Sequence, residues 1–427
     1  MTRILIQGGR VIDPSQQMDT TADVLLEDGT VTAVGTNLGR PDGAEVIDAR
    51  GKVVAPGMID LHVHLREPGQ EDQETVATGA MAAAAGGFSA VCAMPNTDPV
   101  SDNQAAIGFV IRQSQRARAA RVYPIGAVSL GQEGQRLAEF GEMVSAGAVA
   151  VSDDGHPVAT SQLMRTALEY ARTFAIPVAD HCEDMSLANG SMHEGIVSTR
   201  LGLPGIPAAA EEVMVARDVI LAELTGGHVH LCHMSTRGSV ELIRRAKDKG
   251  LSVTAEATPH HFALTHERCE GYSTNAKMNP PLREAEDREA IREGLKDGTI
   301  DVIASDHAPH HYDAKEQAFD DAPNGIIGLE TAFGVAVREL VEGGYLSLPE
   351  LIFRMSTRPA QVFHLPGGTL VDGAPGDVVI LDPGVRWKVD PQASFSKSRN
   401  TPFAGETLVG RADMTIVRGK VVYRREG

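Results

Sequence analysis

The chain has 427 residues, 42% of them hydrophobic and 22% charged, which is enough apolar material for a large core and excludes a disordered chain. A formal net charge of −18 leaves no basic stripe for phosphates and argues against nucleic-acid binding. The N-terminus has no signal-peptide pattern, and no apolar run approaches the ~20 residues that span a bilayer. The four cysteines form no Cys-x-x-Cys motif. We therefore expect a cytoplasmic protein without membrane association.

Both ends of the chain have the pattern of β structure. Residues 1–55 alternate short β-type runs with turns such as Asp28-Gly29. Beyond residue 365 the same pattern returns, with β-type runs at residues 378–381 and 414–423. We therefore predict one small β-sandwich that is built from residues 1–55 and 365–427.

Residues 56–364 alternate short apolar strands with longer helical stretches, which is typical of βα units around a parallel sheet. One clear unit is an Ala-rich helix at residues 74–85, stopped by Gly86-Gly87 and followed by an apolar strand. Eight candidate strands lie near residues 58–64, 88–94, 121–127, 148–153, 177–182, 228–233, 251–256 and 301–306. The predicted fold class is therefore α/β, a (β/α)8 barrel of the TIM type with a β-sandwich built from both chain ends.

Polar residues end five of these strands, where the active site of such a barrel lies. His62 and His64 are two residues apart on the first strand and so share a face, which suits a metal ion. The other strand ends carry Asp153, His181, His233 and Asp306. Each residue taken singly could be a satisfied strand cap. Together, four imidazoles and two carboxylates suffice for two zinc-like ions with a bridging carboxylate.

Strand alternation decides between neighbouring candidates. Asp153 shares a face with the apolar interior residues of the fourth strand, so we predict Asp153 as the ligand and the adjacent Asp154 as a structural loop residue. Cys232, beside the candidate ligand of the sixth strand, is expected to point outward to the helices. His228 and His230 are expected to pack outward by the same alternation.

The combination predicts amide hydrolysis. Paired metal ions lower the pKa of a bridging water and polarise a carbonyl oxygen, and a carboxylate that touches metal and water can carry the proton to the leaving nitrogen. Asp306 is the candidate for that role. The segment from residue 307 to residue 321 is polar and mixed in charge, and is predicted to be a mobile lid.

Seven motifs in order resemble the cyclic amidohydrolases and, among them, the dihydroorotases of the bacterial class I type. The resemblance covers essentially the whole chain. The motifs are residues 56–69 (with His-Val-His-Leu-Arg-Glu-Pro-Gly at their end), 94–97 (Met-Pro-Asn-Thr), 152–155 (Ser-Asp-Asp-Gly), 180–184 (Asp-His-Cys-Glu-Asp), 232–235 (Cys-His-Met-Ser), 278–283 (Met-Asn-Pro-Pro-Leu-Arg) and 305–310 (Ser-Asp-His-Ala-Pro-His).

The resemblance implies two zinc ions per chain. One would be held by His62, His64, Asp153 and Asp306, and the other by Asp153, His181 and His233, with Asp153 as the bridge and Asp306 as general base and then acid. It implies that the substrate carboxylate is gripped by Arg66, Asn96 and His310. The full substrate-binding set that it implies is His64, Arg66, Asn96, Asn279, His310, Asn324 and Gly325.

Lysine usage separates this chain from neighbouring families. Hydantoinases, dihydropyrimidinases and allantoinases are known for a carboxylated lysine that bridges the two metals after the fourth strand. This chain has no lysine between Lys52 and Lys247. We therefore expect no carboxylated lysine, with Asp153 at the bridging position.

The activity implied by the resemblance is the reversible cyclisation of N-carbamoyl-L-aspartate to L-dihydroorotate plus water, a step of de novo pyrimidine (UMP) biosynthesis, through a zinc-activated hydroxide. Hydrolysis of another cyclic amide is one alternative. A silent barrel that serves as an assembly partner beside aspartate transcarbamoylase is another, although such chains usually lose metal ligands. We expect a small-molecule substrate and a homo-oligomer, and association with aspartate transcarbamoylase stays open.

Overall fold

The computed structural model of the protein describes residues 2–426. Its strands are β1 (Arg3–Asp13), β2 (Met18–Glu27), β3 (Thr30–Gly35), β4 (Glu45–Asp48), β5 (Val53–Pro56), β6 (Met58–Val63), β7 (Phe88–Ala93), β8 (Arg121–Pro124), β9 (Val178–Asp180), β10 (Met192–His193), β11 (Gly205–Ile206), β12 (Val229–Leu231), β13 (Val253–Ala257), β14 (Val302–Ile303), β15 (Val378–Lys388), β16 (Thr407–Val417) and β17 (Lys420–Arg424).

Most of the helices follow barrel strands. They are α1 (Val76–Gly86), α2 (Gln104–Ala117), α3 (Phe140–Ala146), α4 (Ser161–Thr173), α5 (Ile196–Leu201), α6 (Ala209–Thr225), α7 (Arg237–Asp248), α8 (Pro259–Ala263), α9 (Ala285–Asp297), α10 (Tyr312–Lys315), α11 (Ala332–Ala336), α12 (Leu348–Ile352) and α13 (Arg358–Val362). Single 3-10 turns occupy Pro14–Gln16, Leu130–Gln132, His266–Cys269, Thr274–Ala276 and Pro391–Ala393, and π-helical turns occupy Val337–Val341 and Phe353–Thr357. Among residues 2–426, no helix combines the length and apolarity that a bilayer crossing requires.

The two ends of the chain meet in one sheet, with the strand order β17-β16-β15-β5-β1-β2-β3 and β4 beside β1. The junction is β5, which pairs antiparallel with β15 and parallel with β1. Ile6, Val24 and Ile416 are buried in a separate hydrophobic cluster that most of these strands share. The predicted β-sandwich from both chain ends is therefore confirmed.

The middle of the chain closes into a barrel of parallel strands. Strands β6, β7 and β8 pair in that order, as do β9, β12, β13 and β14. Val151 joins the two groups through parallel bridges to Gly126 and Val178, and the pair of Val63 with His307 closes the ring. The predicted (β/α)8 barrel is confirmed, although its fourth strand is reduced to the bridges at Val151.

Helix α1 shows why the βα units form where they do. Thr75 caps its first turn through a reciprocal hydrogen bond with Thr78, and Gly87 ends it in the left-handed conformation at φ 93°. At Gly86 a Cβ atom would come within 2.2 Å of the Leu329 carbonyl oxygen, so the chain needs glycine there. The small side chains of α1 let it pack closely against the barrel.

The outward orientation predicted for the sixth-strand side chains is wrong. Cys232 packs in the barrel interior with residues such as Leu61 and Ala179 from other strands. His230 and His228 hydrogen-bond to Thr254 on β13 at 2.9 and 2.8 Å. The strand alternation is intact as far as Cys232.

The alternation breaks at the next residue, because His233 has a left-handed backbone with φ 37°. This reversal turns the His233 side chain toward the carboxyl end of the barrel although Cys232 already faces the interior. Strand alternation that is counted backward from His233 therefore places each earlier residue of the strand on the wrong face of the sheet.

Candidate metal centre and substrate pocket

Four imidazoles and two carboxylates meet at the carboxyl end of the barrel: His62, His64, Asp154, His181, His233 and Asp306. The Asp154 carboxylate lies at their centre. Its Oδ1 atom is 3.4 Å from His62 Nε2, 3.4 Å from His233 Nε2 and 3.7 Å from His181 Nδ1. Its Oδ2 atom is 3.4 Å from His64 Nε2. One carboxylate thus contacts all four imidazoles.

Asp306 stands on the side of the first-strand histidines. Its Oδ1 atom is 3.2 Å from His64 Nε2 and 3.5 Å from His62 Nε2. Its backbone is left-handed, with φ 47°, a conformation that costs free energy for a residue other than glycine. Such strain persists where the surroundings impose it, and here it directs the carboxylate into the cluster.

The structure corrects the prediction of Asp153 as a metal ligand. The Asp153 carboxylate accepts hydrogen bonds from the backbone N–H groups of Val128 and Ser129 and, at 2.5 Å, from the Ser129 hydroxyl. It therefore holds the loop after β8, while the neighbouring Asp154 enters the cluster. The physical reason is that regular pairing ends at Val151, so strand alternation does not extend to residue 153.

The residues fit a divalent metal ion. His62 Nε2 and Asp154 Oδ1 are buried and 3.4 Å apart, and within residues 2–426 neither atom has a hydrogen-bond partner. Buried polar atoms without partners are costly, and a cation between them satisfies them. His62, His64 and Asp306 form one group with ligand atoms mutually within 4.8 Å, and His62, Asp154 and His233 form another. Imidazole and carboxylate ligands suit zinc.

Titration within the cluster points the same way. Burial by itself raises the pKa of Asp154 and Asp306, yet the neighbouring imidazoles, His62 foremost, hold the pKa of both carboxyls well below its usual range. Burial lowers the pKa of His181, but the nearby Asp154 and Glu183 carboxylates raise it to about 10. The buried carboxylates thus require positive charge, which metal cations can supply.

Outer contacts orient two of the imidazoles. His62 donates from Nδ1 to Glu256 at 2.6 Å, and His64 donates from Nδ1 to Asn96 Oδ1 at 2.9 Å. Each Nε2 lone pair is then left facing the cluster. Glu256 also accepts from the His233 backbone and from His230 Nε2, both at 3.1 Å.

Glu256→Gln tests this orientation. A glutamine has the same shape but a weaker acceptor, so zinc affinity should fall about 10- to 100-fold, as losses of such outer partners do. The measurement is competition for zinc against a fluorescent chelator. Exposed Glu241→Gln, on α7, is the matched control, and equal zinc affinity for both variants would contradict the account.

Neither Glu256 nor Glu183 was predicted as a site residue. Glu183 accepts from Asn279 Nδ2 at 2.9 Å and contacts His181 Nε2 at 3.3 Å. The available signal for Glu256 was one acid in a strand of otherwise small and apolar residues, Val-Thr-Ala-Glu-Ala. Glu183 stood in a motif already singled out, two residues after a predicted ligand.

A pocket of about 220 Å³ opens above the cluster. The predicted substrate-binding residues all line it, and so do five of the six cluster residues: His64, Arg66, Asn96, Asp154, His181, His233, Asn279, Asp306, His310, Asn324 and Gly325. Asn279 adds a buried Oδ1 atom with no partner among residues 2–426. The pocket therefore combines the candidate metal centre with unsatisfied hydrogen-bonding groups.

Arg66 is the cation of this pocket. Its Nε atom donates to the Pro309 carbonyl oxygen at 3.1 Å, and Nη2 lies 3.4 Å from His310 Nε2. Burial lowers the pKa of Arg66 to about 10, so the guanidinium stays charged near neutral pH. No carboxylate pairs with it within the described chain. A buried, charged and unpaired guanidinium suits an anionic ligand.

Comparisons with known proteins agree with this geometry. A family model described as dihydro-orotase-like matches residues 51–239. The dihydroorotase of Syntrophotalea carbinolica is 55% identical over 99% of both chains, and that of Geobacter metallireducens is 52% identical over 99% of this chain and all of the other. Among solved structures, L-hydantoinase (dihydropyrimidinase) from Arthrobacter aurescens has a TM-score of 0.89 and 27% identity, covering 100% of this chain and 97% of its own.

Proposed function

We propose, from the fact that this chain belongs to the dihydroorotase family, that it catalyses the reversible cyclisation of N-carbamoyl-L-aspartate to L-dihydroorotate plus water in pyrimidine biosynthesis. The observation that carries the proposal is the unpaired Arg66 guanidinium in the same pocket as the Asp154 cluster. A cyclic amide with a carboxylate substituent matches both features. We assign the chain to the class I type within the family.

We propose two zinc ions per chain, with Asp154 at the bridging position and no carboxylated lysine. The proposal is supported by the contact of Asp154 with four imidazoles and by the absence of lysine between Lys52 and Lys247. When bound, zinc polarises an amide carbonyl and acidifies water. His62, His64, His181, His233, Asp154 and Asp306 would hold the ions.

Asp306 moves the proton in this proposal. In the hydrolytic direction its carboxylate accepts a proton from the attacking water at Oδ and delivers it to the leaving ring nitrogen as the C–N bond breaks. In the cyclising direction it takes the proton from the attacking nitrogen and delivers it to the oxygen that leaves as water. The pKa of Asp306 lies well below its usual range, despite burial, because of the His62 charge and the His64 hydrogen bond. The carboxylate is therefore ionised at neutral pH.

The pocket walls supply recognition. Arg66 binds the substrate carboxylate together with Asn96 and His310, because a planar guanidinium can donate two parallel hydrogen bonds. The free Oδ1 atom of Asn279 can accept from a ring N–H group. The backbone at Asn324 and Gly325 faces the ring edge.

Arg66→Met tests the substrate class. Against L-dihydroorotate, kcat/KM should fall about 100-fold, which is the scale of lost charge-assisted hydrogen bonds. Against dihydrouracil, which lacks only the carboxylate, kcat/KM should stay within about two-fold of wild type. Arg116→Met, on the exposed side of α2, serves as the control. Equal losses on both substrates would instead make Arg66 a structural residue.

Several expectations stay predictions. They are the domain limits at residues 1–55, 56–364 and 365–427, the homo-oligomer, association with aspartate transcarbamoylase, the cytoplasmic location and the mobility of residues 307–321.

A further inference from the structure

A buried lysine braces the pocket wall that contains Asn324 and Gly325. Lys315, at the end of α10, is only 6% exposed. Its Nζ atom donates to the Pro323 carbonyl oxygen at 2.7 Å and to the Lys277 carbonyl oxygen at 3.3 Å. No carboxylate pairs with Lys315 anywhere in residues 2–426. Its ammonium group is therefore committed to two backbone carbonyls.

The two carbonyls flank the wall. Pro323 directly precedes Asn324, and Gly325 donates its backbone N–H to the same Lys277 carbonyl oxygen at 3.0 Å. Lys315 thus adds a link between two chain segments that the Gly325 hydrogen bond already joins. The Lys277 side chain also joins the two segments, because its Nζ atom donates to the Asp320 carbonyl oxygen at 2.8 Å.

The wall itself has little freedom to adapt. His310 donates from Nε2 to the Asn324 carbonyl oxygen at 2.6 Å, and Asn400 donates to the Gly325 carbonyl oxygen at 3.0 Å. Gly325 has φ 120°, and a Cβ atom there would come within 2.6 Å of Ala308 Cβ. Small displacements of Pro323 are therefore transmitted to the face that looks into the pocket.

We propose that Lys315 is a positioning residue, which sets the Asn324–Gly325 wall against the substrate ring by tying it to the Lys277 backbone. The inference rests on the proposed function, in which this wall contacts the ring. It assigns Lys315 an effect on substrate affinity and none on the proton transfer.

The charge of Lys315 supports a pH dependence. Burial and then the Lys277 ammonium lower the pKa of Lys315 to about 7, and the charge of Lys315 in turn lowers the pKa of His310 in the same wall. Burial lowers the pKa of Lys277, and the nearby carboxylates of Asp320 and Asp321 offset part of that decrease. As pH rises through about 7, Lys315 loses its proton, and a neutral amine donates weaker hydrogen bonds than an ammonium group.

The test measures L-dihydroorotate hydrolysis by wild type, Lys315→Met and Lys315→Arg, with exposed Lys249→Met as the control. For Lys315→Met we expect KM to rise about 10-fold, the scale of two lost hydrogen bonds, with kcat within about two-fold and unchanged zinc content. For wild type, KM should rise between about pH 6 and pH 9. For Lys315→Arg, which stays charged, KM should be flat over that range.

Amide hydrogen exchange separates a local brace from a general loss of stability. In Lys315→Met, peptides that cover residues 320–326 should exchange faster while barrel peptides keep the wild-type rate. An unchanged KM, a flat wild-type pH profile, or a fall in kcat together with zinc content would overturn the inference. If wild type itself fails to hydrolyse dihydroorotate, the proposed function falls, and hydrogen exchange still decides whether Lys315 braces the wall.

Discussion

Asp154→Asn is expected to strip the metal centre, while Asp153→Asn keeps it. Asp154 contacts all four imidazoles of the cluster, so the loss of its charge removes the shared ligand. Loss of an outer partner already costs about 10- to 100-fold in metal affinity, and loss of this ligand should exceed about 100-fold. Turnover should become undetectable after dialysis against a chelator.

Asp153→Asn has a different expected effect, because the Asp153 carboxylate serves the backbone of Val128 and Ser129. The free energy of unfolding should fall by about 1 to 2 kcal/mol, as for a weakened buried hydrogen-bond network. Zinc content, measured by plasma mass spectrometry, and kcat should stay near wild type. Zinc loss in Asp153→Asn with retention in Asp154→Asn would reverse the assignment.

Asp306→Asn is expected to lower kcat by about 1,000-fold, within the range of a lost general base and acid. Asparagine preserves the shape of the side chain, but it cannot carry the proton. KM for dihydroorotate should change little, because recognition lies with Arg66 and its neighbours. Steady-state kinetics with zinc quantification in the same samples measures both quantities.

Asp313→Asn, an exposed carboxylate in the segment after Asp306, is the matched control and should retain wild-type kcat. Retention of more than a tenth of wild-type kcat in zinc-loaded Asp306→Asn would remove Asp306 from the proton-transfer role. A rise in KM with unchanged kcat would reassign it to substrate binding.

The barrel and most of its site could be predicted from sequence because the information is local. His62 lies on strand β6, His64 directly follows the end of that strand, and Arg66 lies in the adjoining loop. Alternation and the rule that barrel sites lie at the carboxyl ends of the strands were enough to bring these side chains together. The chain ends were equally clear, since both have β patterns with turn residues between the strands.

The errors arise where the backbone departs from regular strand geometry. The fourth strand is a pair of bridges at Val151, so alternation could not choose between Asp153 and Asp154. In the sixth strand the left-handed backbone of His233 breaks the alternation, so the face predicted for His230 from His233 was wrong. Residue type is a weak guide to a positive φ outside glycine, because His and Asp are enriched there but seldom adopt it.

The missed residues act through contacts that are distant in sequence. Glu256 meets His62 across 194 residues, and Lys315 meets Lys277 across 38. Each residue taken alone is an ordinary charged side chain of a soluble protein. Only the folded chain shows that both are buried and what they bind.

The central claim is that this pocket closes and opens the dihydroorotate ring, and one assay tests it directly. Purified wild-type protein, with its zinc quantified, is followed by ultraviolet absorbance with L-dihydroorotate, N-carbamoyl-L-aspartate and hydantoin in parallel. The account predicts bound zinc, interconversion of the first two compounds and no comparable turnover of hydantoin. Turnover of hydantoin without turnover of dihydroorotate by the zinc-loaded protein would contradict it.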